Sequence, residues 1–328
     1  MQRFKNILCV VEHAKLNKAA IERAVSLAEN NQANLTVVSA APRMNSGINM
    51  PRGGPISAEL QSTLNQTYHA ALTTQTKPYL KRCTLQTRVL VGTAFLEIIR
   101  EVLHNKHDLV IKAAEEHDWL DRLFSSDDMH LLRKCPCPVW LIKPKHQDSY
   151  QRILAAIDVD HNYPEDELES RLILNRQIME MASSVALAET AEFHVVSVWD
   201  SLGESIMNTT MTSTPEDEIE GYVRREHRQI QENMDSLVES TINKLGNEAR
   251  KYIQPFTHLI KGNARQEIPI LARKIDADLV VMGTVARTGI PGFIMGNTAE
   301  TILTQIDCSL LAVKPPGFIT PVTLDSPE

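Results

Sequence analysis

Residues 92–112 and 262–282 align without a gap, and no other feature of the chain constrains its fold as strongly. The first copy opens Gly92-Thr93-Ala94-Phe95-Leu96-Glu97-Ile98 and closes on Asp108-Leu109-Val110-Ile111. The second opens Gly262-Asn263-Ala264-Arg265-Gln266-Glu267-Ile268 and closes on Asp278-Leu279-Val280-Val281. A solenoid repeats every ~20 to 50 residues, whereas this period of 170 residues is the length of a domain. A chain of 328 residues has room for about two cores. It reads as one domain written twice.

In the first half, apolar runs predict strands at Asn6 to Val11, Ala33 to Ala40, Leu85 to Val91, Asp108 to Lys112 and Val139 to Ile142. Helical spacing predicts helices at Lys18 to Asn30, Ile56 to Lys81, Ala94 to Asn105 and Met129 to Lys134. Strands that are apolar on both faces and alternate with helices imply a parallel sheet covered on both sides. Each half is therefore expected to be a doubly wound, five-stranded α/β domain, with bounds 1–147 and 148–328. The offset between the halves grows along the chain. Ile153-Leu154 repeat Ile7-Leu8 at 146, Val195-Val196-Ser197 repeat Val37-Val38-Ser39 at 158, and the glycine segments follow at 170. Insertions thus fall in loops and helix ends, where they are tolerated. The main ones are His161 to Ser170 and a polar loop, Ser201 to Glu218, that carries Thr209, Thr210, Thr212, Ser213 and Thr214. Pro144 to Ser149 is the expected linker.

A net charge of -7 argues against a broad nucleic-acid or anionic-membrane surface. The apolar run after Asn6 is too short for a secretory or membrane-spanning segment, so no membrane insertion is expected. Five cysteines without framework spacing suit buried thiols in a reducing cytoplasm, the expected location.

After Val281-Met282 the second half continues Gly283-Thr284-Val285-Ala286-Arg287-Thr288-Gly289-Ile290-Pro291-Gly292-Phe293-Ile294-Met295-Gly296-Asn297-Thr298-Ala299-Glu300. A strand, a glycine-rich loop and a helix start can turn backbone N–H groups toward an anion. The GxxxxGK[ST] lysine is missing, so this is not a Walker A loop. The run resembles the signature of the universal stress protein family, G-x2-G-x9-G-[ST], and the resemblance extends over both halves. Ala286 stands at the second motif glycine and Asn297 at the motif Ser/Thr.

That resemblance implies a Rossmann-like fold of the adenine nucleotide alpha hydrolase type and a stress-response role. It also implies a site for ATP or another adenine nucleotide with Mg²⁺, carried by Asp158 at the first strand end, by Met282 and Gly283, and by Gly296, Asn297 and Thr298 at the phosphates. Relatives of one domain pair through their final strands, so Val139 to Ile142 and Leu310 to Val313 are expected to meet as an internal pseudo-dimer, with room for a homodimer beyond it. A ligand-free reading stands beside this one: Asn297 and Glu300 have the spacing of a capping box, which satisfies helix N–H groups without a ligand.

The matching stretch of the first half, Ala113 to Asp128, has no glycine and carries Glu115, Glu116, Asp118, Asp121, Asp127 and Asp128. Like charge would repel a triphosphate there, so the first half is read as a non-binding pseudo-domain. His104, His107 and His117 could suggest a metal, but His104 and Lys106 close a helix, where positive charge is favoured. Cys135-Pro136-Cys137-Pro138 lacks the Cys-x-x-Cys redox spacing, and Cys308 repeats Cys137 as a packing position. Without a base and metal carboxylate beside the loop, turnover is not expected. Two alternatives stay open: a non-nucleotide ligand with an apolar tail held between helices or domains, and a slow ATP hydrolase.

Overall fold

The computed structural model describes residues 4–13, 17–44, 55–114, 127–143, 149–207, 215–284 and 295–324. The first half runs β1 (Asn6–Val10), α1 (Lys18–Asn31), β2 (Asn34–Ala41), α2 (Pro55–Thr76), β3 (Leu85–Val91), α3 (Ala94–Asn105), β4 (Leu109–Ala113), α4 (Asp127–Lys134) and β5 (Val139–Ile142). The second runs β6 (Arg152–Ile157), α5 (Glu165–Glu189), β7 (Glu192–Trp199), α6 (Leu202–Met207), α7 (Glu216–Lys244), α8 (Asn247–Tyr252), β8 (Phe256–Lys261), α9 (Ala264–Lys274), β9 (Leu279–Gly283), α10 (Asn297–Gln305) and β10 (Ser309–Val313).

The strands form one ten-stranded sheet in the order β3-β2-β1-β4-β5-β10-β9-β6-β7-β8. Each half is the doubly wound parallel sheet expected from its alternating elements. The two join where β5 and β10 run antiparallel, with Leu310 opposite Leu141 and Ala312 opposite Val139. Side chains along each strand alternate between two cores. Ile7 and Cys9 face a layer built with α1, α5 and α7, while Leu8 and Val10 face a layer built with α3, α4, α9 and α10.

The duplicated motifs have structural causes. Asp108 accepts the backbone N–H groups of Lys5 and Asn6 at 2.7 and 3.1 Å. Asp278 does the same for Gln151 and Arg152 at 2.6 and 2.9 Å. Each aspartate thus satisfies the donors that open its half's first strand and ties that strand to the start of the fourth. Gly92 and Gly262 take φ of 148° and 152°, a region that favours glycine. A Cβ there would also meet the side chain of Glu97 at 2.9 Å or Glu267 at 3.1 Å. Glycine and glutamate therefore recur as a pair because one packs over the other.

Two expectations need correcting. The helix expected from Ile56 to Lys81 ends at Thr76 and tightens into a 3-10 turn over Lys77–Tyr79, because Pro78 has no N–H to continue the ladder. The polar loop expected from Ser201 to Glu218 is helical at both ends, in α6 and in the first turn of α7. Thr209, Thr210, Thr212, Ser213 and Thr214, like linker residues 144–148, lie outside the described residues. Among the described residues no helix is long and apolar enough to cross a membrane.

Candidate functional site

Asp158 follows β6 and is held by its backbone. Asn175 Oδ1 accepts the Asp158 N–H at 3.1 Å, and Asn175 Nδ2 donates to the Asp158 carbonyl at 2.6 Å. The first half repeats this clamp with Asn17 and Glu12, at 3.2 and 2.8 Å. The Asp158 carboxyl has three further donors. Arg171 Nη1 and Tyr163 Oη reach Oδ2 at 2.7 and 2.9 Å, and the Asp160 N–H reaches Oδ1 at 3.3 Å. The guanidinium of Arg171 lies 3.4 Å from the Tyr163 ring centroid, and its Nη2 reaches Glu167 at 3.3 Å. Enclosure raises the Asp158 pKa above the usual 3.8, while the charge of Arg171 and the Tyr163 hydroxyl pull it down.

From this corner a cavity of about 610 Å³ runs to the start of α10. Leu174 and Ile178 of α5, Val198 and Trp199 of β7, and Ile268 of α9 line it, with Met282 and Gly283 of β9. Gly283 lies close under Leu174: a Cβ there would come within 2.8 Å of Leu174 Cδ2 and make that side chain shift. Gly296, Thr298 and Arg265 line the far end, where Arg265 Nε reaches Thr298 Oγ1 at 3.5 Å.

At that end the capping-box reading fails. Gly296, not Asn297, is the N-cap of α10, and no side chain caps the helix. Gly296 is fixed there by its N–H bond to the Thr284 carbonyl at 3.1 Å. Glu300 does not reach back to the cap, because its carboxylate pairs with Arg133 of α4 at 2.5 Å, across the boundary between the halves. Among the described residues no side chain accepts from the first N–H groups of α10, an arrangement that attracts anions. Beneath them, the ammonium of buried Lys314 donates to Thr284 Oγ1 at 2.8 Å and to the Leu132 carbonyl of α4. Burial pushes its pKa down to about 8.

Of the residues expected at the site, Asp158, Met282, Gly283, Gly296 and Thr298 share this one cavity. Asn297 is exposed in the first turn of α10 and is not among the lining residues. Ala286, Arg287, Gly289 and Gly292 lie outside the described residues. Arg171, Tyr163, Trp199 and Arg265 were not anticipated. Arg171 and Tyr163 had a signal, since five positions separate Glu12 from Asn17 but seventeen separate Asp158 from Asn175. Both sit in that surplus. Arg265 was visible only as the residue standing where the first half has Phe95.

In the corresponding corner of the first half a buried lysine takes the place of the methionine. Lys112 of β4 takes the repeat position of Met282, and its ammonium lies 3.0 Å from Glu12 Oε1 and 2.8 Å from Asp128 Oδ1. Only 4% of the Lys112 side chain is exposed. The carboxylate wall expected there is thus neutralised at Asp128; Glu115, Glu116, His117, Asp118 and Asp121 lie outside the described residues. Cys135 and Cys137 are buried with sulfurs 3.6 Å apart. His107 is packed against Glu101 and the Asn6 carbonyl.

A family model described as "Universal stress protein family" matches residues 3–143 and again 149–314. Universal stress protein E of Escherichia coli K12 is 34% identical over 239 residues, covering 71% of this chain and 69% of the relative. The universal stress protein E homolog of Haemophilus influenzae is 29% identical over 323 residues, covering 95% and 98%. A crystal structure of a Pseudomonas aeruginosa universal stress protein superposes with a TM-score of 0.66 at 26% identity, covering 96% of this chain and 94% of that one. Two matched domains, a repeated Rossmann-like sheet and full-length relatives agree: the chain belongs to the universal stress protein family, as a tandem member resembling universal stress protein E, and its role is in the stress response.

Proposed function

We propose that the cavity of the second half binds an adenine nucleotide, that the first half does not, and that the protein acts through occupancy rather than turnover. The observation that carries this reading is the start of α10, which opens on the cavity with Gly296 at its cap and, among the described residues, no side chain on its N–H groups. Phosphates would lie there, beside Arg265 and Thr298. The base would lie at the other end, between Met282, Leu174, Ile178 and Trp199, with Asp158 to accept its amino group. The volume is in the usual range for small-ligand sites, ~300 to 1,000 Å³. Mg²⁺ arriving with the phosphates keeps most of its own waters, so a dedicated protein cage is not required. When bound, the nucleotide supplies charge and a rigid aromatic surface; the chain's contribution is to bind, orient and enclose it.

The test is thermal unfolding with millimolar ATP, ADP or AMP and Mg²⁺. A ligand at 100 times its Kd stabilises by about 2.7 kcal/mol, so a clear rise in Tm is expected. No rise with any of the three would sink the reading. A second reading is favoured by the breadth of the apolar wall, which includes Ile268 and Ile302 besides the residues above: a ligand with an apolar tail. Native mass spectrometry of the purified protein separates the two by the mass retained. Phosphate release from ATP that disappears in Asp158→Ala would replace occupancy with hydrolysis.

A further inference from the structure

Both halves end their first strand in an acid clamped by an asparagine, and both give that acid a cation. The cations come from different places. In the first half it is Lys112, rising from the sheet into the corner. In the second it is Arg171, which reaches Asp158 from the N-terminal part of α5. That residue, with Tyr163, belongs to the stretch that makes the Asp158-to-Asn175 connection longer than its counterpart. The counter-ion has been moved from the floor to the rim, and an uncharged Met282 is left on the floor.

Arg171 is built to stay. Its two terminal nitrogens pair with Asp158 and Glu167, its plane rests on Tyr163, and 12% of its side chain is exposed. Such a fixed guanidinium serves a neighbour better than it serves a ligand. It engages one oxygen of Asp158 together with Tyr163, and among the described residues the other oxygen has only the 3.3 Å bond from the Asp160 N–H. We propose that Arg171 and Tyr163 are positioning residues: they fix Asp158 as a charged acceptor facing the base end of the cavity, which suits a ligand presenting an N–H donor there. The proposal rests on the nucleotide reading for the identity of the ligand, but not for the action of Arg171 on Asp158.

Among the described residues the groups facing that carboxyl are few. Asp160 lies on the same turn, and Tyr163, Glu167 and Arg171 come from α5 and its approach. Asp200 after β7 and Arg265 of α9 line the same cavity, α7 places Glu226 on Asn162, and β9 contributes the uncharged Met282 and Gly283. Among the described residues Arg171 is the cation in direct contact.

The experiment follows the Asp158 carboxyl by NMR in protein labelled with [13C]aspartate, assigned with Asp158→Asn, and in parallel the pH profile of ATP binding. An opposite charge in contact shifts an aspartate by about 1 to 3 pH units. Arg171→Met is therefore expected to move the Asp158 midpoint up by about one pH unit or more, and the acid limb of ATP binding with it. Arg171→Lys, which keeps the charge, should bring both back, and Tyr163→Phe should move them less than Arg171→Met does. A merely structural Arg171 would weaken binding at every pH and leave the midpoint where it was; that result overturns the proposal. If no variant binds a nucleotide, the functional reading fails, yet the carboxyl midpoint still decides what Arg171 does.

Discussion

The two corners behind Glu12 and Asp158 share a fold, a clamp and a strand order, and three of the positions at which they differ set their charge. Where the first half has Glu12, Lys112 and Asp128, the second has Asp158, Met282 and Ala299. In the first, lysine and two carboxylates close on one another at 2.8 and 3.0 Å. In the second, the aspartate is paired from the rim and a cavity of about 610 Å³ remains. Both halves keep the sheet, and the position of one cation distinguishes the two corners.

The strongest way to break this comparison is to remove the cation of the first corner. Lys112→Met would remove a cation that Asp128 and Glu12 share, with 11% and 28% of their side chains exposed. Losing one partner of a buried ion pair costs about 3 to 5 kcal/mol. The lower end is expected, because Glu12 stays partly wet. Denaturant unfolding measures it, and Lys112→Met with Glu12→Gln and Asp128→Asn should recover most of the loss, since the uncompensated charge has gone. A single variant as stable as wild type would mean the triad does not hold the corner together.

Next in size is a contrast at the joint between the halves. Lys143 and Lys314 follow β5 and β10 respectively. Lys143 pairs with exposed Asp307, whereas Lys314 is buried against Thr284 and the Leu132 carbonyl, with its pKa pushed down to about 8 from 10.5. Between those values the unfolded chain holds a proton that the folded chain has lost. Stability therefore rises with pH across the window from about 8 to 10.5. At about 1.4 kcal/mol per pH unit, Lys314 accounts for a gain of roughly 3 kcal/mol over that window. Lys314→Met should lack this gain when urea unfolding at pH 7.5 and 10.5 is compared with wild type, while Lys143→Met should keep it.

Much of this was legible in the sequence because it repeats locally. Asp108 with Asp278, and Gly92 with Gly262, recur at fixed spacing because each bonds or packs beside a partner that recurs too. The open corner was only half legible. Asp158, Met282 and Gly283 follow from strand ends, whereas Arg171 acts through a bond that needs the surplus segment to fold back. The spacing of Asn297 and Glu300 pointed to a local cap; the partner of Glu300 is Arg133, 167 positions away in the other half. Likewise, the acids after β4 read as a bare wall, because the lysine that neutralises Asp128 lies on a strand sixteen positions earlier. Local pattern reports local partners, and the sites depend on distant ones.

A third prediction puts the lysine in the open half. Met282→Lys places an ammonium on the floor within the corner that Asp158 shares, imitating Lys112. ATP affinity is expected to fall at least tenfold, about 1.4 kcal/mol, measured by calorimetric titration. Met282→Leu, similar in volume, should retain it. Equal losses in the two variants would assign the effect to shape and take the cation out of the comparison.

The smallest effect concerns what the first half does for the second. Glu300 is in the first turn of α10, where a carboxylate suits the helix dipole but opposes an arriving phosphate. Arg133 of α4 neutralises it, with 19% and 17% of the two side chains exposed. As a single, partly exposed pair it should contribute no more than about 1 kcal/mol to stability. Arg133→Met frees the Glu300 charge one turn below the uncapped N–H groups. Binding of ATP should then weaken by a few-fold, about 0.5 to 1 kcal/mol, the size of a charge effect at a helix terminus. Adenosine, which has no phosphate, should bind as before, and the ATP penalty should shrink as salt is added. Equal weakening of ATP and adenosine would mean that Arg133 merely packs the joint, and the first half would then contribute to the fold without contributing to the site.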